Sequence, residues 1–138
     1  MGGKSSMGLH WANLSQRDEM ENFFNIDDPA GGKFRQLAEG LSTTIYGGDH
    51  AMVSIVRVEP HARGQLHDHP EEQWGICLRG GGTRLQGDVE VEVGPGDFWR
   101  TPGGVPHTVI AGPDGMLVAD VFAPPRKAYE KDGSGFSD

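Results

Sequence analysis

The stretch that decides the fold is residues 64–80, which read GQLHDHPEEQWGICLRG. His67 and His69 stand two residues apart, just before a predicted strand from Gln73 to Arg79. In an extended chain, residues two apart face the same side, so the two imidazoles can chelate one metal ion. Gln73 follows His69 by four residues and has the same parity. Its amide oxygen is therefore expected on the same side as the two rings.

A second stretch, residues 96–107, reads GDFWRTPGGVPH and ends in His107, at the start of another predicted strand. Three imidazoles and one oxygen donor would form a site suited to one divalent transition metal (Zn, Ni, Fe, Mn or Co), with one or two positions left open. Glu71 or Glu72 can instead supply the oxygen. Glu71 shares the ligand parity but follows a proline in a predicted turn, so Gln73 ranks first.

Short strands surround both stretches, with turns rich in Gly, Pro and Asp between them. The alternation of residue types predicts strands at residues 34–38, 41–46, 51–59, 73–79, 83–86, 89–93, 98–100, 107–111 and 116–123. The runs Gly80–Gly82 and Gly112–Gly115 are predicted to be turns between them. About eight to ten short strands with one weak helix are typical of a small sandwich or a closed barrel.

The composition limits the class of protein. A chain of 138 residues makes one domain, and 36% hydrophobic residues with 23% charged residues exclude disorder throughout. The formal charge of −8 disfavours nucleic acid as a partner. The single cysteine, Cys77, excludes an internal disulfide and a cysteine metal cluster. No apolar run is long enough for a membrane span and no secretory signal follows the start, so a cytoplasmic location is expected.

Three segments follow from these patterns. Residues 1–32 form an N-terminal arm, with a Gly/Ser-rich start predicted to be disordered and a short helix predicted over Arg17 to Asn25. Residues 33–126 are predicted to form the sandwich or barrel. Residues 127–138 form a C-terminal tail, which loses periodicity and is predicted to fray by Gly133.

The two histidine stretches resemble the two motifs of the cupin superfamily. Residues 64–80 resemble the first motif, which has two histidines separated by one residue, then an acidic or amide ligand, and then a glycine. Residues 96–107 resemble the second, which spaces a glycine, a proline, a glycine and a histidine in the same way. The resemblance spans Phe34 to Ala123. It implies an all-β fold, a single cupin β-barrel (a jelly roll), and a homodimer. The short N-terminal helical arm predicted from the residues precedes this barrel.

Three positions depart from the cupin pattern. His61 stands where the first motif usually has a glycine, Gln73 replaces its glutamate, and Ala111 replaces the final asparagine of the second motif. Glutamine is a neutral ligand. A divalent ion held by three neutral histidines and one glutamine keeps its full charge, so it would polarise a substrate oxygen more strongly than a carboxylate-ligated ion.

A narrower resemblance comes from HDHPEEQ (67–73), PGGVPH (102–107) and DVFAPPR (120–126). These segments look like the small cupins of pectin and alginate breakdown, which open the ring of 4,5-unsaturated uronates to give a linear keto-aldehyde acid. That resemblance implies metal ligands at His67, His69, Gln73 and His107, and a substrate pocket lined by Asp120, Phe122 and Arg126.

The residue chemistry agrees with this assignment. A uronate needs a partner for its carboxylate, and arginine is the preferred bidentate one, which favours Arg126. Ring opening requires a proton to move from a hydroxyl, a task suited to Asp120 beside a metal ion. The structural alternatives are an inward Asp120 that bonds a loop and a solvated Arg126.

Three functions remain open from the sequence. The first is a metal-dependent lyase or isomerase acting on a small carboxylated sugar or keto acid, an anionic substrate. The second is an Fe or Ni dioxygenase acting on a small organic substrate, because open coordination positions would admit O₂. The third is a non-catalytic cupin that binds a small ligand. Cupins host many chemistries, so the fold alone does not choose among them.

Overall fold

A computed structural model describes residues 21–137, in which the chain forms seven strands and one short helix. The strands are β1 (Lys33–Ala38), β2 (Leu41–Gly47), β3 (Met52–Val58), β4 (Glu72–Gln86), β5 (Val89–Val93), β6 (Phe98–Thr101) and β7 (His107–Ala123), and the helix is α1 (Lys127–Glu130). All strand pairs are antiparallel, in the order β1-β2-β3-β7-β4-β5, with β6 also paired to β4. The predicted all-β class is confirmed.

The chain divides after Gly32 into two units. The described part of the first unit, residues 21–32, consists of turns and an isolated bridge between Asn25 and Asp28. The predicted disordered start and most of the predicted helix from Arg17 to Asn25 lie outside the described residues. Residues 21–25 form turns and no helix.

β4 and β7 pair along their whole length, from Glu72 opposite Ala123 to Gln86 opposite His107. Two predicted turns are therefore wrong, because Gly80–Gly82 and Gly112–Gly115 lie within these long strands. They face each other where the register shifts, and residues 112–115 form a bulge opposite Gly81. Each pair of strands predicted on either side of these runs merges into one, which leaves seven strands in residues 21–137.

Glycine is required for steric reasons where β4 and β7 pair at this bulge. A Cβ at Gly82 would collide with the carbonyl oxygen of Ile110, and one at Gly80 would collide with that of Gly115. Gly80 and Gly115 also have positive φ angles, both +71°, which favour glycine. The same residues that signal a turn in the sequence thus allow two strands to approach closely at a bulge.

The apolar residues of the sheet share one interior, because alternate side chains of each strand point the same way. The buried interior cluster contains Leu37, Leu41, Ile45, Met52, Val56, Val58, Cys77, Ala111, Met116, Val118, Phe122, Tyr129 and Phe136. Each large member contributes about 1.5–3 kcal/mol by leaving water. On one side, this apolar interior is bounded by the side chains of the candidate site.

The C-terminal tail packs against the barrel, so its predicted fraying by Gly133 is wrong for residues 127–137. Arg35 of β1 is buried and donates five hydrogen bonds to tail carbonyl oxygens. The acceptors are Ala128, Lys131, Ser134, Gly135 and Ser137, at 2.9–3.2 Å. These bonds use all five guanidinium N–H groups. They hold Phe136 in the interior cluster.

Candidate metal centre

A backbone bridge brings the two histidine stretches together. His67 lies in the loop before β4, and its backbone exchanges two hydrogen bonds with that of His107, at 2.9 and 3.2 Å. The neighbouring loop is fixed in the same way, because Gly104 donates a backbone hydrogen bond to the carbonyl oxygen of His69 at 2.8 Å. Gly103 allows this approach, since a Cβ there would collide with the carbonyl oxygen of Pro70.

The three predicted histidine ligands converge. Their candidate ligand nitrogens lie within 4.8 Å of one another. Each Nδ1 lies within 3.0 Å of a backbone carbonyl oxygen, that of Gln65 for His67, Glu71 for His69 and Val105 for His107. A carbonyl oxygen can only accept, so each Nδ1 carries the proton and each Nε2 presents a lone pair. This arrangement orients imidazoles for metal binding.

The imidazoles are neutral near pH 7. Burial lowers the pKa of His67 to about 4 and that of His107 to about 3, and nearby arginines contribute in the same direction. Burial also lowers the pKa of His69. The Nε2 of His107 is buried and has no hydrogen-bond partner among the described residues. A bound cation would satisfy this orphaned acceptor, so the histidine set fits a metal ion.

Gln73 supplies a side-chain oxygen donor beside the free ring nitrogen of His69. It is buried on β4, and its Oε1 lies 3.0 Å from Nε2 of His69. Because the single proton of the neutral His69 ring is on Nδ1, both of these atoms present lone pairs and are suited to sharing one cation.

The two alternative oxygen donors point elsewhere. Glu71 is buried behind His69, with its Oε1 3.5 Å from Nδ1, and its Oε2 accepts a hydrogen bond from the backbone N–H of Lys127 at 3.0 Å. Glu72 accepts a hydrogen bond from the indole of Trp74 at 2.8 Å, on the outer face of β4. Gln73 therefore has the better position for a ligand.

Asp120 of β7 borders the same cavity as His67 and His107. Its Oδ1 is buried without a hydrogen-bond partner among residues 21–137. Burial raises the pKa of Asp120 to about 6, although Arg84, Gln73 and Arg126 act in the opposite direction. A carboxyl group with a pKa near neutrality can both accept and return a proton, as acid–base chemistry requires.

Phe122 and Arg126 also reach the cavity. Phe122 is 1% exposed and packs edge-on against His69, with ring centroids 5.4 Å apart. Arg126 is 2% exposed, stacks on Tyr129 at 4.1 Å from the ring centroid, and donates a hydrogen bond through Nη2 to the carbonyl oxygen of Phe136. Arg126 is therefore not a solvated surface charge, which was the alternative to a place in the substrate pocket. Its guanidinium already contacts the tail.

The sequence left three site neighbours unassigned. Arg84 points into the cavity, Trp99 packs beneath its guanidinium, and Phe136 stacks on His67. The cavity that Arg84 and Phe136 help to enclose measures about 30 Å³. That volume accommodates an ion or a water molecule, but not a sugar.

Comparison with known proteins agrees with this geometry. The family model described as Cupin domain matches residues 54–122, half of the chain. The chain belongs to the cupin family. A search of curated proteins gives no significant match for this cupin.

Solved structures show the same fold. A crystal structure of an RmlC-like cupin from Shewanella frigidimarina is 21% identical, with a TM-score of 0.69 over 80% of this cupin and 96% of the other chain. KdgF from Halomonas sp. is 23% identical, with a TM-score of 0.66 over 76% and 94%. At these identities the likeness establishes the fold. Because both relatives are covered almost entirely, the predicted resemblance to a small cupin is confirmed.

Oxalate decarboxylase from Bacillus subtilis shares the fold over part of its length. It is 24% identical, with a TM-score of 0.64, and the match covers 73% of this cupin and 28% of that chain. One report of that enzyme describes its Mn(II) centres.

As for membranes, the described part of the cupin contains no helix with the length and hydrophobicity needed to span one.

Proposed function

We propose that this cupin is a metal-dependent enzyme of the lyase or isomerase type, which opens the ring of a small carboxylated sugar such as an unsaturated uronate. One observation carries the proposal. Three neutral imidazoles, on His67, His69 and His107, converge beside the buried carboxyl group of Asp120, whose pKa is raised to about 6. The motif resemblance to the uronate cupins supports the same reaction.

The histidines and Gln73 would hold one divalent transition metal ion. Bound there, such an ion would polarise a substrate oxygen as a Lewis acid, and neutral ligands would leave its charge undiminished. No carboxylate takes part in this donor set, because Glu71 faces the opposite ring nitrogen of His69.

Asp120 has the position and acidity for the proton transfer. Its carboxylate would accept the proton of the anomeric hydroxyl group while the bond from the anomeric carbon to the ring oxygen breaks. The anomeric carbon becomes an aldehyde, and the ring oxygen leaves as an enol that takes up a proton at carbon to become a ketone. The reaction is an isomerisation, so atoms and electrons balance without a co-reactant.

Phe122 and Arg126 would shape the pocket. Phe122 covers one side of His69 and excludes water from it. Arg126 contributes a buried positive charge near Asp120, which favours the carboxylate form of that residue. The cavity is smaller than a sugar, so substrate entry requires its wall to move.

The test is an anaerobic assay of protein purified without a metal-affinity tag. Elemental analysis should find about one transition metal per chain, and an unsaturated uronate should lose the ultraviolet absorbance of its conjugated double bond. His67→Ala and His107→Ala should remove both metal and turnover, whereas His50→Ala, in the exposed β2–β3 turn, should remove neither. Full turnover by metal-free protein would reject the proposal.

The same assay separates the other two functions. Turnover that stops without oxygen, together with oxygen uptake, would indicate a dioxygenase. Ligand-dependent shifts in melting temperature without turnover would indicate a binding protein. The homodimer and the cytoplasmic location remain predictions, and sedimentation of the purified protein tests the first.

A further inference from the structure

Arg84 is a buried cation at the wall of the metal cavity. It is 5% exposed and extends from β4 toward the space that also borders His107 and Asp120. Its position is fixed by a hydrogen bond from Nη2 to Oγ1 of Thr101 at 2.8 Å and by the ring of Trp99, whose centroid lies 5.4 Å from the guanidinium carbon.

Arg84 makes no salt bridge among the described residues, although the carboxyl group of Asp120, at the same cavity, acts on it electrostatically. In the described ranges no carboxylate oxygen lies within 4.0 Å of its guanidinium, and its polar contacts are to the neutral side chains of Thr101 and Gln86. A buried charge without a paired partner costs free energy, so such a group at a cavity wall favours an anionic ligand.

Two further polar atoms beside Arg84 have no partner in the part of the chain that the structure describes. They are the indole Nε1 of Trp99 and Oδ1 of Asp120, and both are buried. Both border the space above Gly75, where a Cβ would collide with the indole nitrogen and come within 2.9 Å of Oδ1. The absence of a side chain at Gly75 thus lets the indole N–H and the carboxyl group approach the backbone of β4 side by side, next to the Arg84 cation.

A surface groove borders the same arginine. It measures about 250 Å³ and is lined by residues of β5 and β6, together with Arg84 and Trp99. Its wall includes Val89 and Phe98, which are 58% and 66% exposed. Arg84 borders both the groove and the metal cavity, so it separates a sugar-sized space from the metal centre.

We propose that Arg84 and the indole N–H of Trp99 form a carboxylate-binding subsite, which receives the carboxylate of the substrate from the β5–β6 groove. The inference rests on the proposed function for the identity of that substrate, a monocarboxylated sugar. Arg126 also borders the metal cavity and has a buried Nε without a partner among the described residues, but it does not line the β5–β6 groove, so Arg84 is the arginine that a carboxylate entering from the groove would meet.

The experiment compares two unreactive probes, galacturonate and galactose, which differ only at C6, a carboxylate in the first and a hydroxymethyl group in the second. Isothermal titration into the protein as purified should show galacturonate binding more tightly by about tenfold or more, as charge-assisted hydrogen bonds provide. Arg84→Gln should reduce this ratio to about twofold or less, and Arg84→Lys should retain part of it. Arg100→Gln, an exposed arginine on β6, is the matched control and should keep the wild-type ratio.

A second variant protects the test against misfolding. Trp99→Phe keeps the ring beneath Arg84 but removes the N–H, and it should weaken galacturonate binding about threefold or more while leaving galactose binding and metal content unchanged. Equal affinity of the wild type for both sugars, or an unchanged ratio in both Arg84→Gln and Trp99→Phe, would overturn the subsite. Because the probes do not react, failure of ring opening would reject the proposed function without deciding this inference.

Discussion

The ring of Phe136 stacks on the imidazole of His67, with ring centroids 4.3 Å apart and an angle of 29° between the planes. Through this contact the C-terminal tail covers the metal centre. The tail reaches it because Arg35 binds five of its carbonyl oxygens. The tail therefore determines both the size of the cavity and the exposure of one histidine.

Removing the Phe136 ring should open the site. We expect Phe136→Ala to lower the free energy of unfolding by about 3–4 kcal/mol, as for a buried aromatic residue, and to accelerate the loss of bound Co²⁺ to a chelator several-fold. Phe34→Ala removes a ring that is 66% exposed on β1 and should alter neither quantity. An unchanged rate of metal loss in Phe136→Ala would show that the tail does not limit access.

Arg35 should be necessary for the docked tail. Arg35→Met leaves the tail carbonyl oxygens without their donors, so we expect a loss of about 3 kcal/mol in stability. Amide hydrogen exchange of residues 128–137 should become faster than exchange of β3. Arg35→Lys keeps the charge but not the planar five-donor group and should give an intermediate effect. Equal protection of the tail in Arg35→Met and wild type would contradict this account.

The alternation of residues along one extended segment predicted the part of the site whose residues are close together in the sequence. His67, His69 and Gln73 share one side because the chain is extended there, and the predicted inward side of β4 is correct at Gln73 and Cys77. Trp74 is exposed on the opposite face, as the alternation of side chains along a strand requires. The prediction that His107 joins the site depended on the second motif, because spacing along the chain cannot show that two distant loops form a backbone bridge.

The inward position of Arg84 could not be predicted because the parity of β4 changes along the strand. Inward residues are odd-numbered up to Cys77, but register shifts between Cys77 and Gly82 place the even-numbered Arg84 inside. The same shifts turn Arg79 outward, although it shares parity with Gln73. Glycine and proline signal a bulge and a hairpin turn alike, so the sequence gives no means of separating them.

The packed tail was also beyond sequence reasoning. Residues 131–137 contain one large apolar residue, Phe136, and no periodic pattern. Their order depends on hydrogen bonds from Arg35, roughly a hundred residues earlier, to backbone oxygens that every sequence possesses. Only the fold shows that this arginine faces the tail.

The buried histidines should make the metal-free protein sensitive to acid. The pKa of His107 falls from 6.5 in the unfolded chain to about 3 on folding, so the unfolded state binds the extra proton between these values. His67 acts in the same direction, with a pKa of about 4. Their contribution to stability is complete above pH 6.5 and is lost as the pH falls toward 4.

Urea unfolding in the presence of a chelator measures this effect. Between pH 7 and pH 4.5 each of the two imidazoles should lower the free energy of unfolding by about 2–3 kcal/mol, and the protonation of Asp120 should offset about 2 kcal/mol, so we expect a net fall of about 3 kcal/mol. His107→Gln should reduce the fall, and His50→Gln should preserve it as the exposed control. A stability that is level from pH 7 to 4.5 in wild type would show that the imidazoles are not buried as neutral groups.

Asp120 should reduce stability at neutral pH while serving the reaction. Burial raises its pKa from 3.8 in the unfolded chain to about 6, so its contribution to stability is present at low pH and is lost as the pH rises through 6. At pH 7.5 the buried charge costs at most about 3 kcal/mol. Asn cannot ionise, so Asp120→Asn should raise the unfolding free energy of the metal-free protein at pH 7.5 by about 1–3 kcal/mol.

The same substitution should lower turnover of an unsaturated uronate by a factor of about 10²–10⁴, because the proton acceptor is lost while the histidine ligands remain. Metal content should stay at the wild-type level. Asp114→Asn, an exposed residue in the bulge of the same strand, is the matched control and should change neither stability nor turnover. An Asp120→Asn protein that is less stable than wild type yet fully active would mean that Asp120 is a structural hydrogen-bonding group, and the proton transfer would then have to be assigned to another residue.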